Sequence, residues 1–479
     1  MVDQLFDLSR PRRIHIVGVG GPGMSAIALV LADMGNHVRG SDIKHTPYLD
    51  RVELAGVDVR IGHAAENLDD VEVVCISTAI RANNLEVAEA GRRSIPVLRR
   101  AEMLAAICSR ARSIGVAGTH GKTSTTSMLA LILRAAGLDP SFIVGGQLND
   151  VGAGATWTGG ELLVVEADES DGTFLALPLA GTILTNVEVD HLDHFGTVDT
   201  MHRAFAEYLD AADGPIVVCA DDPVAARLAG DARRDRPVIT YGLHSGADYR
   251  LTDVRSQRGV QHFTVVHSTR NGTGSPTATV LGDIELPVRG IHMATNALAA
   301  IAMALELGAS FDDARRALAR FGGVARRFEI RGRAKDATLV DDYAHLPGEI
   351  AAVLRAARTG GDDWRRVIAV FQPNRYSRMD VLWREYADAF VDADVVVLTD
   401  IYPSGEVPLP GVTGKLVVNA VLDAHPATRV MYLPNRSDLI AVVARELRAG
   451  DVCISMGCGD IAAFPDEVLD LVERLGPGR

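Results

Sequence analysis

Short β-branched runs alternate with longer alanine- and leucine-rich runs along nearly the whole chain. The run Arg13–Val17 reads as a strand, a glycine turn follows, and Met24–Met34 reads as a helix stopped by Gly35. Repetition of that unit restricts the chain to one broad class, α/β layers built on mainly parallel sheets. With 479 residues the chain exceeds what a single hydrophobic core organises, so about three domains are expected.

The alternation falls into three blocks. Residues 1–112 carry expected strands at Arg13–Val17, Val38–Ser41 and Val71–Ser77. Residues 113–324 open on the strand Ser113–Ala117 and a helix over Ser124–Ala136, stopped by Gly137, with strands at Leu162–Val165 and Thr182–Leu184. Within that block, residues 246–290 hold Gly, Ser and Thr among short alternating runs, which predicts an antiparallel excursion. Residues 325–479 carry expected strands at Thr338–Val340, Val367–Phe371, Val395–Leu398 and Val452–Ser455.

Composition removes several functional classes. A net charge of −14 disfavours broad nucleic-acid binding, although anions can still be met by locally gathered positive groups. No run approaches the ~18 apolar residues of a membrane span, and the opening MVDQLFDLSRPRR has no apolar signal region, so a cytoplasmic protein is expected. The five cysteines match no common zinc spacing and are expected to be reduced. Only four lysines, Lys44, Lys122, Lys335 and Lys415, stand against 44 arginines. In that background a lysine marks a place where a compact, flexible point charge is wanted.

Lys122 is such a place. The stretch Gly115-Val116-Ala117-Gly118-Thr119-His120-Gly121-Lys122-Thr123-Ser124 departs from strict P-loop spacing, but its physics is the same. A strand feeds a glycine turn whose amides cradle phosphates, Lys122 reaches the β and γ phosphates, and Thr123 offers a hydroxyl to Mg²⁺. An earlier glycine turn, Gly18-Val19-Gly20-Gly21-Pro22-Gly23, also joins a strand to a helix and suits a pyrophosphate on the helix N-terminus. Ser41 and Asp42 end the next strand, where an acid often meets a ribose. Taken alone, that turn is a weak signal whose usual functional reading is NAD or FAD and whose alternative is a tight strand–helix turn without ligand; in this context nucleotide binding is favoured.

Acids follow the second loop. Glu166 ends a strand, Asp168, Glu169 and Asp171 come next, and Thr185-Asn186 leads to Glu188, Asp190, His191 and His194. Hard oxygen donors with one imidazole suit Mg²⁺. A zinc hydrolase using His191 and His194 is the rival, but it lacks the paired upstream histidines. Most of these acids read as solvated loop residues; Glu166, Asn186 and His191 are the exceptions.

These residues resemble the Mur ligases of peptidoglycan synthesis over essentially the whole chain. Gly18–Ser25, Gly118–Thr123, Asp341-Asp342-Tyr343-Ala344-His345 and Phe371–Arg378 narrow the resemblance to the member that joins L-alanine to UDP-N-acetylmuramate, and His120 in the loop supports it. The resemblance implies an α/β fold of three domains: a Rossmann-like domain for the UDP-sugar, a central P-loop-type ATPase domain and a Rossmann-like C-terminal domain. It implies ATP and Mg²⁺, an acyl phosphate on the muramic carboxylate, and attack by the alanine amine.

By the same resemblance Gly18, Gly20, Gly21, Gly23, Met24, Ser41 and Asp42 meet the sugar nucleotide. Gly118, Thr119, His120, Gly121, Lys122, Thr123 and Ser124 hold ATP, with Asn296, Arg327 and Asp342 on its nucleoside side. Thr123, Glu166 and His191 bind the metal. Tyr343 and His345 match the alanine pocket, and Arg375 and Arg378 match the arginines near the acyl phosphate. Leu346, Gly348, Asn374 and Met293 depart from the family pattern, the first three beside the presumed amino-acid site, so glycine or serine acceptance bears testing. Two rival functions remain at this level: a ligase recycling murein peptides, and a catalytically silent UDP-sugar sensor.

Overall fold

The computed structural model describes residues 5–231, 236–269 and 277–475. Its strands form three sheets, one for each block of the sequence. The chain divides into two compact units. One runs through Thr252 and takes in Thr264–Ile284 and Thr295–Phe321; the other gathers Asp253–Phe263, Glu285–Ala294 and everything from Gly322 onwards.

The first sheet is wholly parallel, in the order Asp58–Ile61, His37–Asp42, Arg13–Val17, Val73–Ile76, Val97–Arg99. Strand order reverses beside Arg13–Val17, so the first glycine turn leaves the sheet at its topological switch point, where open α/β sheets receive ligands. The helix that follows spans Pro22–Asp33, two residues earlier than its apolar run suggests, because Pro22 is pre-set for a first helical position.

The central sheet has ten strands, with Arg112–Ala117 between Gly181–Leu184 and Leu162–Glu166, all parallel. Ile114, Val116, Val164 and Ile183 are fully buried, as expected for strands covered on both faces. Each such side chain contributes about 2 kcal/mol of burial. The region expected to be an antiparallel excursion forms three long neighbouring strands, Tyr249–Gln257, Val260–Thr269 and Thr277–Leu286, the last at the edge of the sheet. The third sheet, in the second unit, is parallel in the order Ala337–Asp342, Asp451–Met456, Arg366–Phe371, Val395–Leu398, Val430–Tyr432, with Glu329–Ala334 antiparallel at one edge.

The interior of the first sheet encloses a polar cluster. His15, Ser41 and Glu86 are fully enclosed. Glu86 accepts from Ser41 Oγ and Asn67 Nδ2, both at 2.6 Å, and lies 3.0 Å from His63 Nδ1 and 3.4 Å from His15 Nε2. Burial opposes its ionisation, but hydrogen bonds from His15, Ser41 and Asn67 outweigh burial and bring the carboxyl from 4.5 to about 2. A depressed acid stabilises the fold above its unfolded value and loses that contribution as pH falls towards 2. Glu86→Gln is therefore expected to cost about 2 kcal/mol at neutral pH. Thermal melts across pH should also show a flatter loss of stability between pH 4.5 and 2 than in the parent chain.

Candidate functional site

Because Arg112–Ala117 is flanked in parallel by two strands, its outgoing loop meets the carboxyl ends of both. Gly118 sits at φ +130°, and a Cβ on it would fall 2.1 Å from Thr185 Oγ1 and 2.9 Å from the Asn186 carbonyl oxygen. Gly121, at φ +82°, would place a Cβ 2.5 Å from Asn296 Oδ1. Both are backbone approaches that only glycine allows. Asn186 braces the loop from outside: its Oδ1 accepts from His120 N at 2.8 Å and its Nδ2 donates to His120 O at 3.0 Å. Thr185 Oγ1 donates to the same carbonyl at 2.6 Å. His120 Nε2 lies 3.0 Å from Glu188 Oε2, and Thr119 Oγ1 bridges the Glu188 backbone.

The helix Lys122–Ala135 starts directly from Gly121. The amides of its first turn, from Lys122 to Ser124, have no partner within the helix, and the helix dipole adds positive potential there. Lys122 Nζ donates to Gly118 O at 2.6 Å and Thr119 O at 3.2 Å, and pairs with Glu169 Oε1 at 2.9 Å. Burial works against its charge, but Glu169, Asp168 and Glu166 outweigh that and raise its pKa. Thr123 Oγ1 donates to Glu166 Oε1 at 3.1 Å, and Gly145 N donates to the other Glu166 oxygen at 2.6 Å.

The acids after Glu166 correct the sequence reading of solvated loop residues. Glu169 is only 3% exposed, and burial pushes its carboxyl up to about 7 against the pull of Lys122. Asp168 and Asp171 each take Arg100 Nη2 at 2.9 Å. Burial opposes ionisation of Asp168, yet Arg100 and Lys122 hold its carboxyl well below the usual range. Sequence spacing could not assign a role to Glu169 or Arg100, since neither lies in a motif; the scarcity of lysine pointed only to Lys122, the partner of Glu169. Of the three residues expected at the metal, Thr123 and Glu166 are adjacent. His191 caps the short Leu192–Phe195 helix at φ +53°, with Nε2 3.1 Å from Asp190 Oδ2. Among the described residues no group of three or more His, Cys, Asp or Glu side chains could hold a metal ion.

In the first glycine turn, Gly18 N and Val19 N donate to Ser41 O at 2.8 and 3.1 Å, and Gly20 N donates to Asp42 Oδ2 at 3.0 Å. Thr46 Oγ1 closes the turn on Gly20 O at 3.0 Å. Gly21 is the N-cap of the Pro22–Asp33 helix, which buries Met24. Gly23 faces Arg100, whose Nη1 would lie 3.1 Å from a Cβ there. Ser41 contributes its backbone to this turn, while its hydroxyl is spent on Glu86.

The second unit brings its own expected residues together at the carboxyl ends of its parallel strands. Asp342 is buried and accepts from Phe328 N and Ala344 N, both at 2.7 Å, and burial pushes it up to about 6. The Arg326 and Arg327 guanidinium carbons lie 5.0 and 5.2 Å from the Tyr343 ring centroid. His345 packs edge-on to Tyr343 and lies 3.2 Å from Glu349 Oε2. Arg375 takes φ +59° at the start of the Tyr376–Leu382 helix. Arg378 is buried and donates to Asn374 Oδ1 at 2.7 Å, so Asn374 holds one of the two expected arginines. Leu346 is core and Gly348 lies in the first turn of the Pro347–Thr359 helix.

A glycine turn at a switch point, a P-loop-type turn with an enclosed lysine, and a third parallel sheet with gathered arginines define a nucleotide-dependent α/β enzyme of three sheets. The comparisons make this specific. Residues 13–112 match the Mur ligase family catalytic domain, 116–304 the Mur ligase middle domain, and 326–459 the Mur ligase glutamate ligase domain. The chain belongs to the Mur ligase family. It is 45% identical to a UDP-N-acetylmuramate–L-alanine ligase of Bradyrhizobium sp. (strain BTAi1) over 95% of this chain and 97% of that one. A protein of the same name from Rubrobacter xylanophilus is also 45% identical, over 95% and 99%. Among solved structures, the UDP-N-acetylmuramate-alanine ligase of Thermotoga maritima superposes with TM-score 0.79 at 28% identity, over 97% of this chain and all of that one. A murein peptide ligase of Psychrobacter arcticus shares the fold at TM-score 0.69 and 24% identity, over 96% and 98%.

The tightness at Gly118 gives a direct test. Gly118→Ala should cost about 3 kcal/mol or more of stability, from the positive φ and the collision with Thr185. Nucleotide affinity should fall with it, measured by calorimetric titration at a temperature where the variant is folded.

Proposed function

We propose that the chain joins L-alanine to the carboxylate of UDP-N-acetylmuramate at the expense of ATP, in the cytoplasm, as a step in making peptidoglycan precursors. The observation that carries this reading is the 45% identity, over nearly the full length of both chains, to ligases that bear this name. The site supplies a mechanism for it.

The glycine turn closed by Asp42 and Thr46 receives the sugar nucleotide, with its diphosphate at the N-terminus of the Pro22–Asp33 helix. Gly118 to Ser124 cradle the ATP phosphates on backbone amides, and Lys122 offsets charge as the γ-phosphoryl group passes to the muramic carboxylate. The Cβ-free approaches at Gly118 and Gly121 fit a cradle of that kind. Thr123 and Glu166 present adjacent hard oxygens, a donor set that fits Mg²⁺, with His191 as a third ligand. When bound, the ion neutralises phosphate charge. The acyl phosphate is then attacked by the amine of alanine, and a tetrahedral intermediate collapses to amide and phosphate. Arg375 and Arg378 suit the acyl phosphate and the amino-acid carboxylate, because guanidinium groups pair with both in bidentate fashion. Tyr343 and His345 form the wall for the alanine side, and Asn296, Arg327 and Asp342 serve the nucleoside end of ATP.

Phosphate release from ATP and Mg²⁺ should require UDP-N-acetylmuramate and L-alanine together, and mass spectrometry should find the amide. Release with neither substrate, or with a tripeptide in place of alanine, would sink this assignment. Lys122→Ala should lower kcat by about 10²–10³-fold, as the loss of a preorganised charge at the transition state does. Near-normal ADP production by that variant would remove Lys122 from the mechanism.

A further inference from the structure

Glu169 is an enclosed acid beside the phosphate loop that the mechanism above does not use. It follows the strand Leu162–Glu166, and its backbone carbonyl is anchored by Gly172 N at 3.1 Å. Its Oε1 holds Lys122, while its Oε2 is buried and has no hydrogen-bond partner among the described residues. A buried carboxylate oxygen without a partner is costly, so its retention needs a reason. Lys122 gives one. Its ammonium has three hydrogens, and Gly118 O, Thr119 O and Glu169 Oε1 use all three. In this arrangement the lysine that would meet the γ-phosphate is folded back onto its own loop.

We propose that Glu169 is a positioning residue for Lys122, holding the ammonium on the loop carbonyls and giving it up to the terminal phosphates of ATP. The inference rests on the reading of Gly118–Ser124 as the ATP loop. A compact ammonium on a four-carbon stem can make that exchange, where a guanidinium fork could not follow it. Two consequences share one sign. The carboxylate competes with phosphate for Lys122, and it repels the phosphate directly across a low-dielectric site. Both weaken nucleotide binding, and both favour letting ADP go after the reaction.

Removing the charge while keeping the shape should therefore tighten binding. For Glu169→Gln, calorimetric Kd values for ATP and ADP with Mg²⁺ should fall about tenfold relative to the parent chain. The KM for ATP should fall with them, and kcat should fall as well because ADP leaves more slowly. Glu169→Asp keeps the charge on a shorter stem, and its nucleotide affinity should stay within about twofold of the parent chain. A carboxylate needed only for packing predicts the opposite, weaker binding in both variants. Unchanged or weaker ATP binding by Glu169→Gln overturns the inference, and so does a collapse of its melting temperature, which would assign the carboxylate to the fold. Failure of the parent chain to bind ATP at all would instead overturn the reading of the loop.

Discussion

The closeness of Gly118 to Thr185 and Asn186 is the constraint on which the phosphate loop depends. Three parallel strands end side by side, and each delivers one part: Arg112–Ala117 the loop, Leu162–Glu166 the acids, Gly181–Leu184 the brace. For the brace to reach the loop, the backbone at Gly118 must come within van der Waals range of Thr185, and no Cβ fits there. Once that contact is made, Asn186 and Thr185 fix the His120 peptide from both sides, and the helix beginning at Lys122 has one direction to follow. The preorganisation is built from backbone and short side chains, so little reorganisation is left for the moment when charge moves.

Much of this was legible in the sequence, and for a physical reason. Glycine at a strand–helix junction, a lysine and a threonine at the next two positions, and an acid at the end of the following strand are local signals, each set by backbone geometry or by a single side chain's chemistry. Strand cores such as Ser113–Ala117 and Val367–Phe371 fall inside their observed spans for the same reason, since parallel strands are continuously apolar. What local pattern does not carry is burial of a polar group. Glu86 and Glu169 look like any other surface glutamate in sequence, yet both are enclosed, one by Ser41 and Asn67 and the other beside Lys122. Only strand order puts those partners together, and strand order is not written at the level of spacing. The strands Tyr249–Gln257 and Val260–Thr269 were legible through the alternation of more and less buried side chains along them, although their length was not.

The departures from the family pattern gain a structural sense. Asn374 accepts from Arg378 with a neutral amide oxygen and so orients the guanidinium without adding a second charge. Leu346 is taken up by the core of the third sheet. Glu349 reaches back to the amides of His345 and Leu346, closing the start of the Pro347–Thr359 helix. The same carboxylate lies beside the His345 ring, so the backbone cap also sets the orientation of a side chain expected at the amino-acid site.

The two units also arrange their positive charge in different ways. The whole chain carries a net charge of −14, so attraction for phosphate and carboxylate must be generated locally. In the second unit it comes from arginines held by their surroundings: Arg326 on Asp341, with Arg326 and Arg327 over the Tyr343 ring, and Arg378 on Asn374. Their charge is permanent and their geometry fixed, which suits recognition of a planar carboxylate. Beside the phosphate loop the charge is a lysine enclosed among Glu166, Asp168 and Glu169, so that a full positive charge in the interior is balanced before any nucleotide arrives. A phosphoryl group in transit changes both position and charge, and a mobile point charge can follow it where a fixed fork cannot. On the proposed function, that difference in task accounts for a lysine at position 122 in a chain that writes nearly all of its basic residues as arginine.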